Sequence, residues 1–295
     1  MEDDSFYFKE RNFGLNSLYL KIIAAIFMTL DHYALLFLES SSTTYYILRA
    51  IGKISFPIFA YLAFESTLRT KHIKKYLLTL LSFSLFLDIF SYIFGSILHI
   101  TVASNPFIGN VFTDLFLGVL TIYLLKMKSK FSFLAIIPIA IAILSNLVIN
   151  NTYGTLFKTD WGSFSIIFFL LLYFIRELYH IYLKNKANQF QVDKESLYES
   201  TSITTINNIL GSFSLLLTEL FFYLIYMIDN STSFIPNEYV PIGTYSTLAI
   251  IFILLYKGKR GKDNKIIRYS FYIYYPLHLI ILGIISLFLG TLSAF

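Results

Sequence analysis

The chain has no cysteine among its 295 residues. Disulfides, thiolate nucleophiles and Cys-ligated metal sites are therefore excluded. Charge is scarce as well. Asp, Glu, Lys and Arg make up 14% of the residues, against about 25% in a soluble domain. No internal repeat is visible, which argues against a transporter built from duplicated halves. What fills the chain instead is apolar: 56% hydrophobic residues, with 31 Phe and 23 Tyr. A water-soluble fold cannot hide that much apolar surface, so lipid is its natural solvent. The sequence predicts an all-α, polytopic transmembrane helical bundle. The acidic start Met1-Glu2-Asp3-Asp4 is the wrong n-region for a cleaved signal peptide, so the first hydrophobic segment is expected to be retained.

A spanning helix needs roughly 20 mainly apolar residues. About nine segments qualify on that criterion: 17–38, 45–66, 75–95, 109–126, 132–149, 163–182, 208–228, 240–256 and 267–290. Basic residues occupy alternate connections. Arg69, Lys71, Lys74 and Lys75 follow the second segment, and Lys126, Lys128 and Lys130 the fourth. Lys184, Lys186 and Lys194 follow the sixth, and Lys257, Lys259, Arg260, Lys262 and Lys265 the eighth. The other connections are bare, apart from Lys158. By the positive-inside rule this places the N-terminus in the cytoplasm and the C-terminus outside. The chain is read as one transmembrane domain, 1–295, with a polar cytoplasmic connection over 183–207. The predicted location is the bacterial cytoplasmic membrane, multi-pass, with the lipid bilayer as partner and no nucleic-acid partner.

Several ionisable residues fall inside the segments: Asp31 and His32 in the first, Arg49 and Lys53 in the second, Asp88 in the third. Asn110 and Asp114 open the fourth, Glu219 lies in the seventh and His278 in the ninth, after Tyr275-Pro276. Asp160-Trp161-Gly162 precedes the sixth. All map to the outer half or middle of the membrane. Five unpaired charges there would cost roughly 12–18 kcal/mol at about 2.5–3.5 each, as much as the whole stability of a domain. They must pair or line a watery cavity, and the signs allow pairing of the carboxylates with Arg49 and Lys53. Asp114 is a candidate partner for Arg49, and Asn110 for interhelical hydrogen bonding. His32 is the best chemical candidate, because imidazole takes and returns a proton near neutral pH. Adjacent helical residues point about 100° apart, so Asp88 or Asp114 is as good an orienting group for His32 as Asp31. The tyrosines of 269–275 read as packing and interface aromatics.

The residues with this chemistry also carry a resemblance. The run Leu20-Lys21-Ile22-Ile23-Ala24 to Met28-Thr29-Leu30-Asp31-His32 resembles the opening of the TraX family. So do Arg49-Ala50-Ile51-Gly52-Lys53, Phe56-Pro57-Ile58-Phe59, Glu65, Asn110-Val111-Phe112 with Gly118, Asp160-Trp161-Gly162, and Tyr275-Pro276-Leu277-His278-Leu279. They run in family order from about residue 20 to 282. Lys53 stands where an Arg is usual, Asp114 where a Thr is expected, and Ser165 where a Gly follows the Asp-x-Gly motif. The family is named for N-terminal acetylation of a conjugative pilin. The resemblance implies a membrane-embedded acyltransferase with acetyl-CoA as donor and His32 as the essential base; His32 and His278 with carboxylates could bind a metal, but their spacing is not diagnostic and no metal is expected. The acceptor would be an amine or hydroxyl on a surface polymer, lipid or pilin-like protein at the outer face. On this reading Asp31 assists His32, while Arg49, Lys53, Asp88, Asn110, Asp114, Asp160, Tyr275 and His278 bind substrate or stabilise charge. An ion- or proton-coupled transporter is the alternative from another class, and an accessory subunit without chemistry a third.

Overall fold

The computed structural model describes residues 13–97, 110–127, 129–145, 148–149, 152–153, 159–191, 202–228, 243–262 and 264–289. The acidic first residues, Lys128, Lys158, Lys194 and most of the bare connections lie outside the described residues. The elements are helices α1 (Ser17–Phe37), α2 (Thr43–Gly52), α3 (Ser55–Arg69), α4 (Ile73–Ile97) and α5 (Val111–Lys126). Then come α6 (Ile136–Leu144), two-residue strands β1 (Val148–Ile149) and β2 (Thr152–Tyr153), and helices α7 (Gly162–Phe190), α8 (Ser202–Ile228), α9 (Ala249–Leu255) and α10 (Lys265–Leu289). Five helical stretches among the described residues are long and apolar enough to cross a membrane: α1, α2 with α3, α7, α8 and α10. This is a helical, multi-pass membrane protein.

The second segment is one span in two pieces. A turn at Lys53–Ile54 separates α2 from α3. Pro57 lies four residues after Lys53 and has no N–H to give its carbonyl, so the helical ladder is interrupted there. The fifth segment is shorter than expected. It opens with a 3₁₀ turn (Lys130–Ala135), ends at Leu144, and leaves residues 148–149 in a hairpin with 152–153. The eighth also opens as 3₁₀ (Gly243–Leu248), where Gly, Thr and Ser dominate and helix propensity is low. Residues 183–190 and 202–207, expected in a polar connection, extend α7 and α8 instead.

Helix α3 is the centre. Phe56, Ile58, Ala60, Tyr61, Leu62, Ala63 and Phe64 are all buried, and α1, α5, α7 and α9 pack against it. Helix α8 packs on α7 and α9, α4 on α5, and α10 on α1. On α8, Phe213, Leu216, Leu220 and Leu224 are exposed at three- and four-residue spacing. In water such a stripe would be an aggregation site; in a bilayer it is the lipid-facing side. The start of α1 is tied to the segment before α10. Ser17 and Leu18 donate backbone N–H groups to the carbonyls of Lys259 and Arg260 at 2.8 and 3.2 Å. These bonds satisfy donors that a helix N-terminus leaves open. They also hold one end of the bundle, rich in Lys and Arg, in a fixed arrangement.

Candidate functional site

Two residues that sequence order separates by 246 positions meet between α1 and α10. His32 Nδ1 and His278 Nε2 lie 2.7 Å apart. His278 Nδ1 lies 3.0 Å from the Tyr274 carbonyl oxygen. A carbonyl only accepts, so His278 Nδ1 carries a proton, and in a neutral ring Nε2 is then the acceptor. His32 Nδ1 must donate to it. The lone pair of His32 therefore sits on Nε2, which no protein group hydrogen-bonds among the described residues. His278 thus fixes the tautomer of His32, the task for which Asp31, Asp88 and Asp114 were the sequence candidates.

The carboxylates serve other partners. Asp31 accepts from Arg49 Nη1 at 2.6 Å, with both side chains mostly buried. Helix α2 can come this close because position 52 is glycine. A Cβ there would collide with the Asp31 side chain. Asp114, expected as a partner of Arg49, caps α7 instead. It accepts backbone N–H groups of Asp160 and Trp161 at 2.9 Å each and of Gly162 at 2.8 Å. A carboxylate at a helix N-terminus meets both the open donors and the positive end of the dipole. Asp88 accepts from Asn110 Nδ2 at 2.8 Å. Asn110 also caps α5 by accepting from the Phe112 N–H at 2.9 Å. These two therefore bind α4 to α5, as interhelical polar groups do in membranes. Glu219 accepts from Ser246 and joins α8 to the segment before α9.

Lys53, four residues from Arg49, meets an aromatic ring. Its ammonium lies 5.5 Å from the centre of the Trp161 ring, which stacks on Phe56 at 4.6 Å. Both Arg49 and Lys53 are near enough for their charge to act on His32. Tyr275 sets its ring edge-on to both histidines, at 6.4 Å from His32 and 5.5 Å from His278. Tyr274 stacks on His278 at 5.3 Å. Asp160 is exposed, and its charge is within reach of the Tyr275 hydroxyl.

A cavity of about 590 Å³ runs between α1, α3, α4, α5 and α10. Its mouth carries Lys21, Arg69, Lys71, Lys75, Arg260 and Lys262, and no acidic side chain lines it among the described residues. Its inner end is formed by Met28, Phe112, Tyr274 and Tyr275, the last two being the rings that touch the histidines. Along α1, the eleven residues from Lys21 to His32 span roughly 16 Å at about 1.5 Å per residue. The tyrosines of 269–275 are thus walls of a cavity as well as packing groups.

A second buried charge cluster escaped the sequence reading. Glu65 accepts from Arg69 Nη2 and pairs with Arg176 Nη2, each at 2.7 Å. Arg69 Nη1 also reaches the Gly258 carbonyl at 2.5 Å. Arg176 interrupts the apolar run Phe168–Ile175, which was the signal available.

A family model described as TraX protein matches residues 17–229. The chain is 29% identical over 286 residues to the probable fimbrial assembly protein FimC, serogroup H1, of Dichelobacter nodosus, covering 95% of this chain and 99% of that protein. No solved structure matches. The matched region contains α1 to α8 with the Asp31–Arg49 pair, His32, the α5 cap and the Asp114-capped start of α7, and the chain belongs to the TraX family.

Proposed function

We propose that this protein is a membrane-embedded acyltransferase that moves an acetyl group from acetyl-CoA to an amine or hydroxyl of an envelope acceptor. The observation that carries the reading is the His32–His278 pair, which leaves a basic nitrogen, His32 Nε2, one layer of rings, Tyr274 and Tyr275, away from a cavity. In the reaction His32 Nε2 takes the proton of the acceptor N–H or O–H as its N or O attacks the acetyl carbonyl. The C–S bond then breaks and the thiolate leaves, taking a proton back from His32. A positioned base of this kind contributes typically 10²–10⁴-fold. Arg49 and Lys53 supply positive charge near the carbonyl oxygen as it becomes an oxyanion.

The cavity supports the identity of the donor. Its six cations suit the phosphates of a nucleotide thioester, and its length suits a slender arm that delivers the acyl end to the two tyrosines. Charge alternation in the sequence puts the basic mouth in the cytoplasm, where acetyl-CoA is made, and the membrane is then the bacterial cytoplasmic membrane. The relative named for fimbrial assembly favours a pilin-like acceptor over a polymer or a lipid. Inside-out vesicles supplied with acetyl-labelled acetyl-CoA test the reading. Label is expected in an envelope component only when the protein is present. Equal labelling without it contradicts the reading.

A further inference from the structure

The cavity and the histidine pair are neighbours, but they are not one space. Tyr274 and Tyr275 line the cavity, whereas Thr29, His32 and His278 do not. Two hydrogen bonds join α1 to α10 one turn apart. The first is His32 to His278; the second, nearer the mouth, joins Thr29 Oγ1 to the Tyr274 hydroxyl at 2.6 Å. The protons of the second bond can be assigned. Thr29 donates its hydroxyl hydrogen to the Ala25 carbonyl at 2.9 Å, so Tyr274 must be the donor to Thr29. Tyr274 therefore touches everything at this junction. Its hydroxyl bonds α1, its ring stacks on His278, its carbonyl accepts the hydrogen bond of His278 Nδ1–H, and it lines the cavity. Two residues on, Pro276 sits inside α10 and can give no N–H to the ladder, which is where helices yield.

We propose that Tyr274, latched to Thr29, is the gate that seals the cavity from His32, and that it must swing aside for an acyl group to pass. The inference rests on the acyltransfer reading for its purpose, though its geometry stands apart from it. A base able to activate an acceptor also activates water. Without the gate, water would attack the thioester carbonyl, His32 Nε2 would take its proton, the C–S bond would break, and the proton would pass to the thiolate. Acetate and free thiol would be released with no acceptor modified. Excluding water until the acyl group arrives prevents that loss.

The cysteine-free chain permits a direct test. His32→Cys is placed in a Tyr274 or a Tyr274→Ala background, and a membrane-impermeant, negatively charged thiosulfonate is added at the basic end in inside-out vesicles. Ser66→Cys, on the cavity wall, serves as the positive control and should react alike in both backgrounds. The Cys at position 32 should react slowly behind Tyr274 and more than roughly tenfold faster behind Ala, which loses the latch, worth about one hydrogen bond, and the ring as well. Tyr274→Phe keeps the ring on His278 and loses only the latch. It should give a smaller rise of the same sign, roughly tenfold at most for the loss of about one hydrogen bond, and it replaces the Ala variant if that inserts poorly. Equal rates in all backgrounds, or rapid reaction already behind Tyr274, overturn the gate. A second measurement follows acetate release from acetyl-CoA without acceptor, in chains that keep His32. It should rise in Tyr274→Phe. If no chain, wild type included, ever turns over acetyl-CoA while the labelling pattern holds, the acyltransfer reading fails and the gate stands.

Discussion

Two buried charged clusters lie in the same bundle and differ in kind. Around Glu65, two guanidiniums share one carboxylate, and Glu65 and Arg176 are each only 2% exposed. Arg176 lies over the Phe64 ring at 5.2 Å, and Arg69 over that of Tyr256 at 5.6 Å. Charge is paired there and packed against aromatic rings. Around His32 the ion pair Asp31–Arg49 accompanies a hydrogen-bonded histidine pair with a nitrogen left over. Burial of charge in a membrane is therefore not in itself a mark of chemistry. What sets the second cluster apart is an available lone pair next to a cavity, with cations already held in place.

Glu65→Ala leaves the buried Arg176 and the half-buried Arg69 without their counter-charge and should destabilise the fold by about 3–5 kcal/mol, the usual result of removing one partner of a buried pair. Thermal unfolding of the detergent-solubilised protein checks this, and an unchanged midpoint would show that the cluster is hydrated. Asp114→Ala should cost less, about 1–3 kcal/mol, because three backbone N–H groups at the start of α7 lose their acceptor. Its signature in hydrogen exchange is faster exchange at 160–162 with little change in α3.

Gly52→Ala sharpens the other side. It forces α2 away from Asp31 and should lower transfer activity more than it lowers yield, since the Arg49 charge moves from His32. Activity falling only in proportion to yield would make the Asp31–Arg49 pair another structural tie. The smallest effect expected is topological. A Cys at Ser41 should react with an impermeant maleimide in intact cells, whereas one at Ser129 or Asn264 should not. The reverse pattern would place the basic cavity mouth outside and remove its match to a cytoplasmic donor.

Most of the helical framework was legible because a bilayer imposes length and apolarity on every span. The missed details have local causes. The break at Lys53–Ile54 follows from Pro57, a signal the apolar length of the segment masks. Residues 148–149 are apolar enough for a helix, yet they pair as a strand. In the site, His32 and His278 were both visible, but their contact was not, because no local pattern links positions so far apart. Asp31 drew attention by adjacency, although neighbours on a helix diverge. Arg49 and Lys53 share a spacing of four but not an element, since Lys53 already belongs to the turn. Arg176 was passed over inside an apolar run, and Thr29 and Tyr274 carry no charge to mark them.

The account turns on His32 as the base. With acetyl-labelled acetyl-CoA given to inside-out vesicles, His32→Ala protein inserted to wild-type level should label the envelope acceptor at least ~100-fold more slowly. His278→Ala, which keeps the base but frees its tautomer, should fall between that variant and wild type. Wild-type labelling by His32→Ala would contradict the account, because the His32 nitrogen would then have no part in the transfer.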